Sequence, residues 1–275
     1  LTLQDARDYN IIGCVEPQKS GKTEGWHDAA FFNMCRPLEL VFSNGMDKGV
    51  RIGPATGNVE DMTTFEQFYD AYKKQMDYAI QLLVNADNAI DMAHAERCPL
   101  PFLSSMVDDC MKVGKTVQEG GAVYNFTGPQ GFGVANMADS LYSVKMLVYD
   151  KKKITMGELK EALATNFGKG LGAEDVAAMT AKIANELKEA GKTIGEKEVA
   201  AILNTVVAAS EAPEVKANGE RILKLIEEVP KFGNDIPEVD AFARDVAYTY
   251  TEPLQNYKNP RGGSFQAGLY PVSAN

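Results

Sequence analysis

The chain has 275 residues and carries 28 Lys+Arg against 38 Asp+Glu, a formal net charge of −10. With 45% hydrophobic and 24% charged residues, it is a globular sequence with enough chain for a substantial core, as one large domain or two modest ones. The acidic balance argues against a basic face that tracks nucleic-acid phosphates, and no apolar run is long enough to suggest a transmembrane helix.

The N-terminus, LTLQDARDYN, has neither the charged region nor the apolar core of a signal peptide. It opens on Leu1, so the chain is expected to be processed or part of something longer. Tyr9 to Gly13 reads as a short strand that Pro17 should end, and a Gly/Lys/Ser-rich loop follows to about Gly25. A helix is expected from near Asp28 to Ser43, with Asp28 as its N-cap and Pro37 as a kink. Thr63 and Glu66 form a capping-box pattern. Phe65, Phe68, Tyr69, Tyr72, Met76, Ala79, Ile80 and Leu83 then recur at helical spacing, towards His94 and the stop at Pro99. A short helix over Leu103–Met111 and a strand over Ala122–Phe126 follow. The Gly-rich loop Thr127–Gly133 then leads into a helix over Val134–Val148. Thr155 and Glu158 make another capping box. After Gly168 the composition shifts: Ala173 to Glu228 is rich in Ala, Glu and Lys and reads as two to four amphipathic helices. Asp240–Leu254 is a further helix. Asn259-Pro260-Arg261-Gly262-Gly263 is a turn before a strand over Ser264–Leu269. Strands alternate with helices, so the class is α/β.

The candidates for chemistry are few. Cys14, Cys35, Cys98 and Cys110 contain no CxxC pair, so reduced thiols are expected rather than a disulfide scaffold. Cys14 and Glu16 lie two residues apart in an extended segment and would share a side. A sulfur nucleophile or redox group would then sit beside a base; the alternative is a buried cysteine next to a solvated carboxylate. Asp28 is either a helix cap or a carboxylate that accepts hydrogen bonds from substrate hydroxyls. The two histidines, His27 and His94, lie far apart and give little support for a metal site. Gly128-Pro129-Gln130-Gly131-Phe132-Gly133 lacks the order of a nucleotide loop, and its glycines read as turn formers.

Longer strings say more than spacing does. Ile11 to Asn33 (IIGCVEPQKSGKTEGWHDAAFFN) resembles the cysteine loop of the glycyl radical enzymes, and most of all the cobalamin-independent glycerol and propane-1,2-diol dehydratases. The likeness continues through Ala93–Cys110, Gly120–Leu141, Pro230–Asp240 and Asn259–Asn275. This resemblance implies part of a ten-stranded α/β barrel of the pyruvate formate-lyase type. Barrel segments would cover residues 1–167 and 229–275, a helical insertion residues 168–228, and the chain would be truncated at both ends. It also implies a glycyl radical C–O lyase. Cys14 is the thiyl cysteine, Glu16 the base, Asp28 a ligand of diol hydroxyls, and Tyr270 part of the pocket wall. No cofactor or metal is expected at the site. The radical glycine, in an RVxGY-like motif absent here, would be installed by an S-adenosylmethionine iron–sulfur activating enzyme. Expected partners are a small polyol, that activating enzyme, the remaining barrel segments and a second copy as homodimer, with neither nucleic acid nor membrane. The expected location is cytoplasmic, with a bacterial microcompartment left open. Isethionate sulfite-lyase and choline trimethylamine-lyase types share the Cys-Val-Glu-Pro core, and they stay open as alternatives, as does a catalytically incomplete fragment.

Overall fold

A computed structural model of the chain describes residues 2–13, 16–169, 197–199, 201 and 212–270. The chain divides into two compact units, Leu1–Leu141 with Lys231–Asn275, and Tyr142–Pro230. Among the described residues no helix is long and apolar enough to cross a membrane.

The first unit opens with α1 (Leu3–Arg7) and an antiparallel hairpin of β1 (Tyr9–Ile12) and β2 (Glu16–Lys19). Pro17 does not end the pairing: it stands opposite Ile11. Proline is tolerated because each strand of a two-stranded hairpin has an unpaired edge. The helix expected from Asp28 to Ser43 is instead β3 (Phe31–Asn33) followed by α2 (Arg36–Phe42). Pro37 lies in the first turn of α2, where a missing N–H costs nothing, so it starts this helix rather than kinking one. A small hairpin, β4 (Met46–Asp47) and β5 (Val50–Arg51), leads to α3 (Phe65–Arg97).

At 33 residues, α3 is the spine of this unit and is about 50 Å long. Its capping box uses Thr64 and Gln67, one residue later than Thr63 and Glu66. The Gln67 Oε1 accepts from the Thr63 N–H at 2.7 Å and from the Thr64 N–H at 3.2 Å, so the later register satisfies more orphan donors. Phe68, Tyr72, Met76 and Ile80 are fully buried along one stripe. Further helices are the single turns α4 (Pro101–Ser104) and α5 (Cys110–Val113), and α6 (Val134–Val144). A later helix, α9 (Pro237–Leu254), buries Val239, Ala243, Val246 and Tyr250 and lies alongside α3.

These helices back a parallel sheet whose order is β3, β6 (Gln130–Phe132), β7 (Gly268–Leu269). Single bridges extend it towards the strand N-termini: Thr23 with Tyr124, Trp26 with Thr127, and Thr127 with Phe265. The strand expected at Ala122–Phe126 thus contributes one bridge, and the regular pairing falls inside the Gly-rich stretch. Its glycines are points of close approach rather than a ligand cradle. A Cβ on Gly131 would lie 2.5 Å from the Tyr250 ring, and one on Gly128 would lie 3.1 Å from the Trp26 carbonyl.

One buried cation ties the strands to α3. The Arg261 guanidinium pairs with Asp91 at 2.9 Å and donates to the carbonyls of Glu24 and Phe126 and to the Thr127 hydroxyl. Both partners of the ion pair are about 2% exposed or less. One helical turn before Asp91 lies Asp87, 3% exposed, with a buried Oδ2 that has no hydrogen-bond partner. Burial first, and the Asp91 charge second, push its carboxyl up to about 6. A raised carboxyl pKa means the folded state holds this proton more tightly than the unfolded chain does. The stability it contributes is complete below the unfolded value near 4 and is lost as pH rises through 6. Asp87→Asn should therefore flatten the fall in stability between pH 4 and 6, by up to about 3 kcal/mol. Denaturant unfolding of wild type and variant at the two pH values checks this, and parallel curves would contradict it.

The second unit contains a π-helical stretch (Lys145–Asp150), α7 (Met156–Ala164) and α8 (Pro213–Glu228). The Thr155–Glu158 capping box is formed as expected. α8 packs on α7, with Arg221 bonded to Glu158 at 2.8 Å. Gly219 permits the close crossing, since a Cβ there would lie 2.3 Å from the Phe167 backbone. The remainder of the Ala/Glu/Lys-rich stretch expected to be helical, residues 170–196, 200 and 202–211, lies outside the described residues.

Candidate active site

The β1–β2 hairpin sets the first part of the site. Ile12 pairs with Glu16, so three residues, Gly13, Cys14 and Val15, connect the strands. Such loops need a left-handed residue, and Gly13 supplies it with φ +61°. Cys14 and Val15 themselves lie outside the described residues. The strand before them is exposed throughout, yet Glu16 is only 7% exposed. Its carboxylate folds back over Gly13: a Cβ at that position would lie 2.6 Å from Oε2. Any side chain at residue 13 would displace that carboxylate.

The parallel sheet has two distinct faces. Trp26 packs edge-on to His94 of α3, with ring centroids 5.1 Å apart, and lies under the Arg261 guanidinium. Thr127 bonds to the same arginine. Phe32 stacks on Tyr250 of α9 at 5.0 Å. These residues mark the helix-covered face. Side chains alternate along a strand, so His27, Phe126, Phe31, Gln130 and Gly268 belong to the opposite face. His27 and Phe126 meet there, ring edge to face, at 4.8 Å. The Gln130 amide crosses this face from above Gly268 to the His27 carbonyl, to which it donates. Tyr270 donates its N–H to the Gly131 carbonyl at 2.9 Å. Two residues beyond Gly268, it falls on the same open face.

Asp28 is not a helix cap. Five steps along the first strand, Trp26 to Phe31, match three along its neighbour, Thr127 to Gln130. The two surplus residues bulge, and Asp28 sits exposed in this bulge. It stands near the level of Gly128, whereas Tyr270 stands near the level of Phe132, about 13 Å further along the strands. The two residues share a region of the sheet without touching.

His27 is the residue that spacing alone undervalued. Its Nε2 is buried without a hydrogen-bond partner. Burial pushes its imidazole pKa down, while the Glu16 and Asp28 carboxylates pull it up, and burial prevails. The ring is therefore neutral near pH 7. The Glu16 and Asp28 carboxylates thus both act on His27 electrostatically. The adjacent His-Asp pair in the sequence was the available signal; the placement of the His27 ring depends on its contact with Phe126, a hundred positions away. Among the described residues, no three His, Cys, Asp or Glu side chains gather as a metal-ligand set. A buried carboxylate that acts on a neighbouring imidazole suits hydrogen bonding and proton transfer.

The family model described as pyruvate formate lyase-like matches residues 1–275. The chain is 31% identical to the (2S)-3-sulfopropanediol dehydratase of Klebsiella oxytoca, covering 100% of this chain and 28% of that protein. A solved structure concerning 1,2-propanediol dehydration in Roseburia inulinivorans superposes with a TM-score of 0.90 at 59% identity, covering 100% of this chain and 33% of that one. The glycerol-bound form of the B12-independent glycerol dehydratase from Clostridium butyricum superposes at 0.75 and 49% identity, covering 98% of this chain and 28% of that one. The chain thus spans about a third or less of the length of these relatives. A cysteine turn with a buried glutamate at its base, a parallel sheet with one helix-covered face, and a family match along the whole length agree: the chain belongs to the pyruvate formate lyase-like family.

Proposed function

We propose that this chain is a segment of a glycyl radical dehydratase that converts propane-1,2-diol or glycerol to an aldehyde. The observation that carries the reading is the buried Glu16 carboxylate folded over Gly13, the residue that precedes Cys14 in the chain. The likeness to the Roseburia and Clostridium structures at 59% and 49% identity supports the diol. In this reading the open face of the sheet looks into a ten-stranded barrel completed by the rest of the protein. Phe31, 63% exposed on that face, suits such a cover. Residues 1–167 and 229–275 form barrel segments, interrupted in sequence by an insertion of residues 168–228. The working protein is a homodimer in the cytoplasm, charged by a radical-S-adenosylmethionine iron–sulfur activating enzyme.

The glycyl radical, outside this chain, supplies the oxidising equivalent that makes Cys14 a thiyl. Cys14 takes a hydrogen atom from the hydroxyl-bearing C1, leaving a carbon radical. Glu16 takes the proton of that C1 hydroxyl, which makes the radical electron-rich and weakens the neighbouring C–O bond. The second hydroxyl leaves with that proton as water, and Cys14 returns its hydrogen atom to the carbonyl radical. Asp28 holds the diol hydroxyls, and Tyr270 closes one wall. Exclusion of water and oxygen protects the radicals.

A sulfonate substrate, as in the isethionate sulfite-lyase of Desulfovibrio desulfuricans (30% identical over 65% of this chain), suits the site less well. Arg261, the arginine nearest to Tyr270 in sequence, is buried and committed to Asp91. It offers no guanidinium to a sulfonate. The whole protein, activated anaerobically, should release propanal or 3-hydroxypropanal from the respective diol. No aldehyde from either would sink the reading, and sulfite from isethionate would replace it.

A further inference from the structure

We propose that Gln130 is a positioning residue for Asp28: its side-chain amide fixes the peptide that carries Asp28, a role that deepens the function proposed above and rests on it. Where the first strand holds two surplus residues, its carbonyls cannot all find partners in the neighbouring backbone. Those on either side of the bulge do. The Trp26 carbonyl accepts from the Gly128 N–H at 2.6 Å, and the Ala30 carbonyl from the Gln130 N–H at 2.7 Å. The His27 carbonyl accepts instead from the Gln130 side chain, through Nε2, which also lies 3.5 Å from the Gly128 carbonyl. A peptide unit is planar, and this one runs from the His27 Cα to the Asp28 Cα. A bond to its oxygen therefore restrains the point from which the Asp28 side chain leaves the backbone. Asp28 is itself exposed, so its direction depends on that backbone.

The neighbouring strand makes room for this bond. Gln130 is 7% exposed although it belongs to the open face: its amide passes over Gly268, its register partner on β7. A Cβ at Gly268 would collide with the Gln130 Oε1 and lie 2.7 Å from its Cδ. Three strands thus take part. β7 leaves the space, β6 supplies the donor, and the segment ahead of β3 supplies the carbonyl. An amide donates without titrating, so the restraint does not vary with pH. Methionine matches glutamine in length but has no donor. A carboxylate that holds substrate hydroxyls must be placed closely, since a misplacement of about 1 Å costs roughly 100-fold in rate.

The test is a double-mutant cycle in the activated whole enzyme: wild type, Gln130→Met, Asp28→Ala and both together, with kcat and KM for propane-1,2-diol. Gln130→Met should lower kcat/KM roughly 10- to 100-fold, and Asp28→Ala at least as far. The double variant should lie within about twofold of Asp28→Ala, because a residue that acts through Asp28 has nothing left to position. Losses that multiply would overturn the assignment, as would Gln130→Met within about twofold of wild type. A purely structural role would show as multiplied losses with lowered melting temperature and radical content. Gly268→Ala is the second probe: it keeps Gln130 but takes the space of its amide, and should couple to Asp28→Ala in the same way. Dissociation constants of propane-1,2-diol on the unactivated proteins give the same cycle without turnover. Failure of the diol reading appears in wild type, which would then neither bind nor convert either diol, whereas failure of the Gln130 assignment appears only in the cycle.

Discussion

Replacing Asp91 with alanine should destabilise the protein by about 3–5 kcal/mol. The substitution leaves the Arg261 guanidinium charged and enclosed among carbonyls, the Thr127 hydroxyl and the Trp26 ring, without its directly bonded counter-ion and with only the more distant influence of Glu24. Its remaining bonds, to Glu24 O at 2.6 Å, Phe126 O at 2.9 Å and Thr127 Oγ1 at 3.3 Å, satisfy donors but do not neutralise charge. Removal of the charge from both sides should be far milder: in Asp91→Leu with Arg261→Met, apolar groups of similar volume replace the pair, and most of the loss should return. The strands would still lose the arginine's clamp on two backbone carbonyls, so full recovery is not expected. Denaturant unfolding of the whole protein compares both variants with wild type. A single variant within 1 kcal/mol of wild type, on the order of an exposed pair, would show that the guanidinium escapes to solvent.

Glu16→Gln should lower kcat by roughly 10²- to 10⁴-fold while KM changes little. The amide matches the carboxylate in shape and can occupy the same space over Gly13, so the hairpin should fold as before. On the proposed function, what disappears is the proton acceptor, and with it the means of making the substrate radical electron-rich. Aldehyde release by the activated enzyme reads kcat, and radical content measured in parallel separates failed chemistry from failed activation. A variant with full radical content and kcat within tenfold of wild type would remove Glu16 from the role of base. Gly13 offers a companion test of geometry, since alanine there would contact Oε2 at 2.6 Å and need φ near +61°.

Local chemistry was legible in the sequence wherever a short-range rule governed it. The apolar stripe of α3 follows from 3.6-residue spacing, and the Thr155–Glu158 box from the reciprocal bonds of a helix start. Where two local patterns competed, the structure chose the one with more satisfied groups, as when Thr64 and Gln67 displaced Thr63 and Glu66. Asp28 looked like a helix cap because it precedes apolar residues. Those residues, Phe31 and Phe32, pair instead with β6, a partner nearly a hundred positions away that no local pattern can reveal. The same distant pairing turned the Gly-rich stretch from a loop into the centre of a sheet.

By itself, the sequence determined the family and the residues that bear the proposed chemistry: the Cys14–Glu16 pair, Asp28 and Tyr270 are named by their strings. Gly13, read from the sequence as the end of a strand, proved to be a left-handed residue under the Glu16 carboxylate, a position that favours a residue without Cβ. Tertiary structure alone decided which side each of these residues serves. Register across three parallel segments put His27 and Tyr270 on the open face and Trp26 on the helix face. It also committed Arg261 to Asp91, from a helix 170 positions earlier. The physical reason is that side-chain direction in a strand follows from pairing, and pairing is set by partners far along the chain.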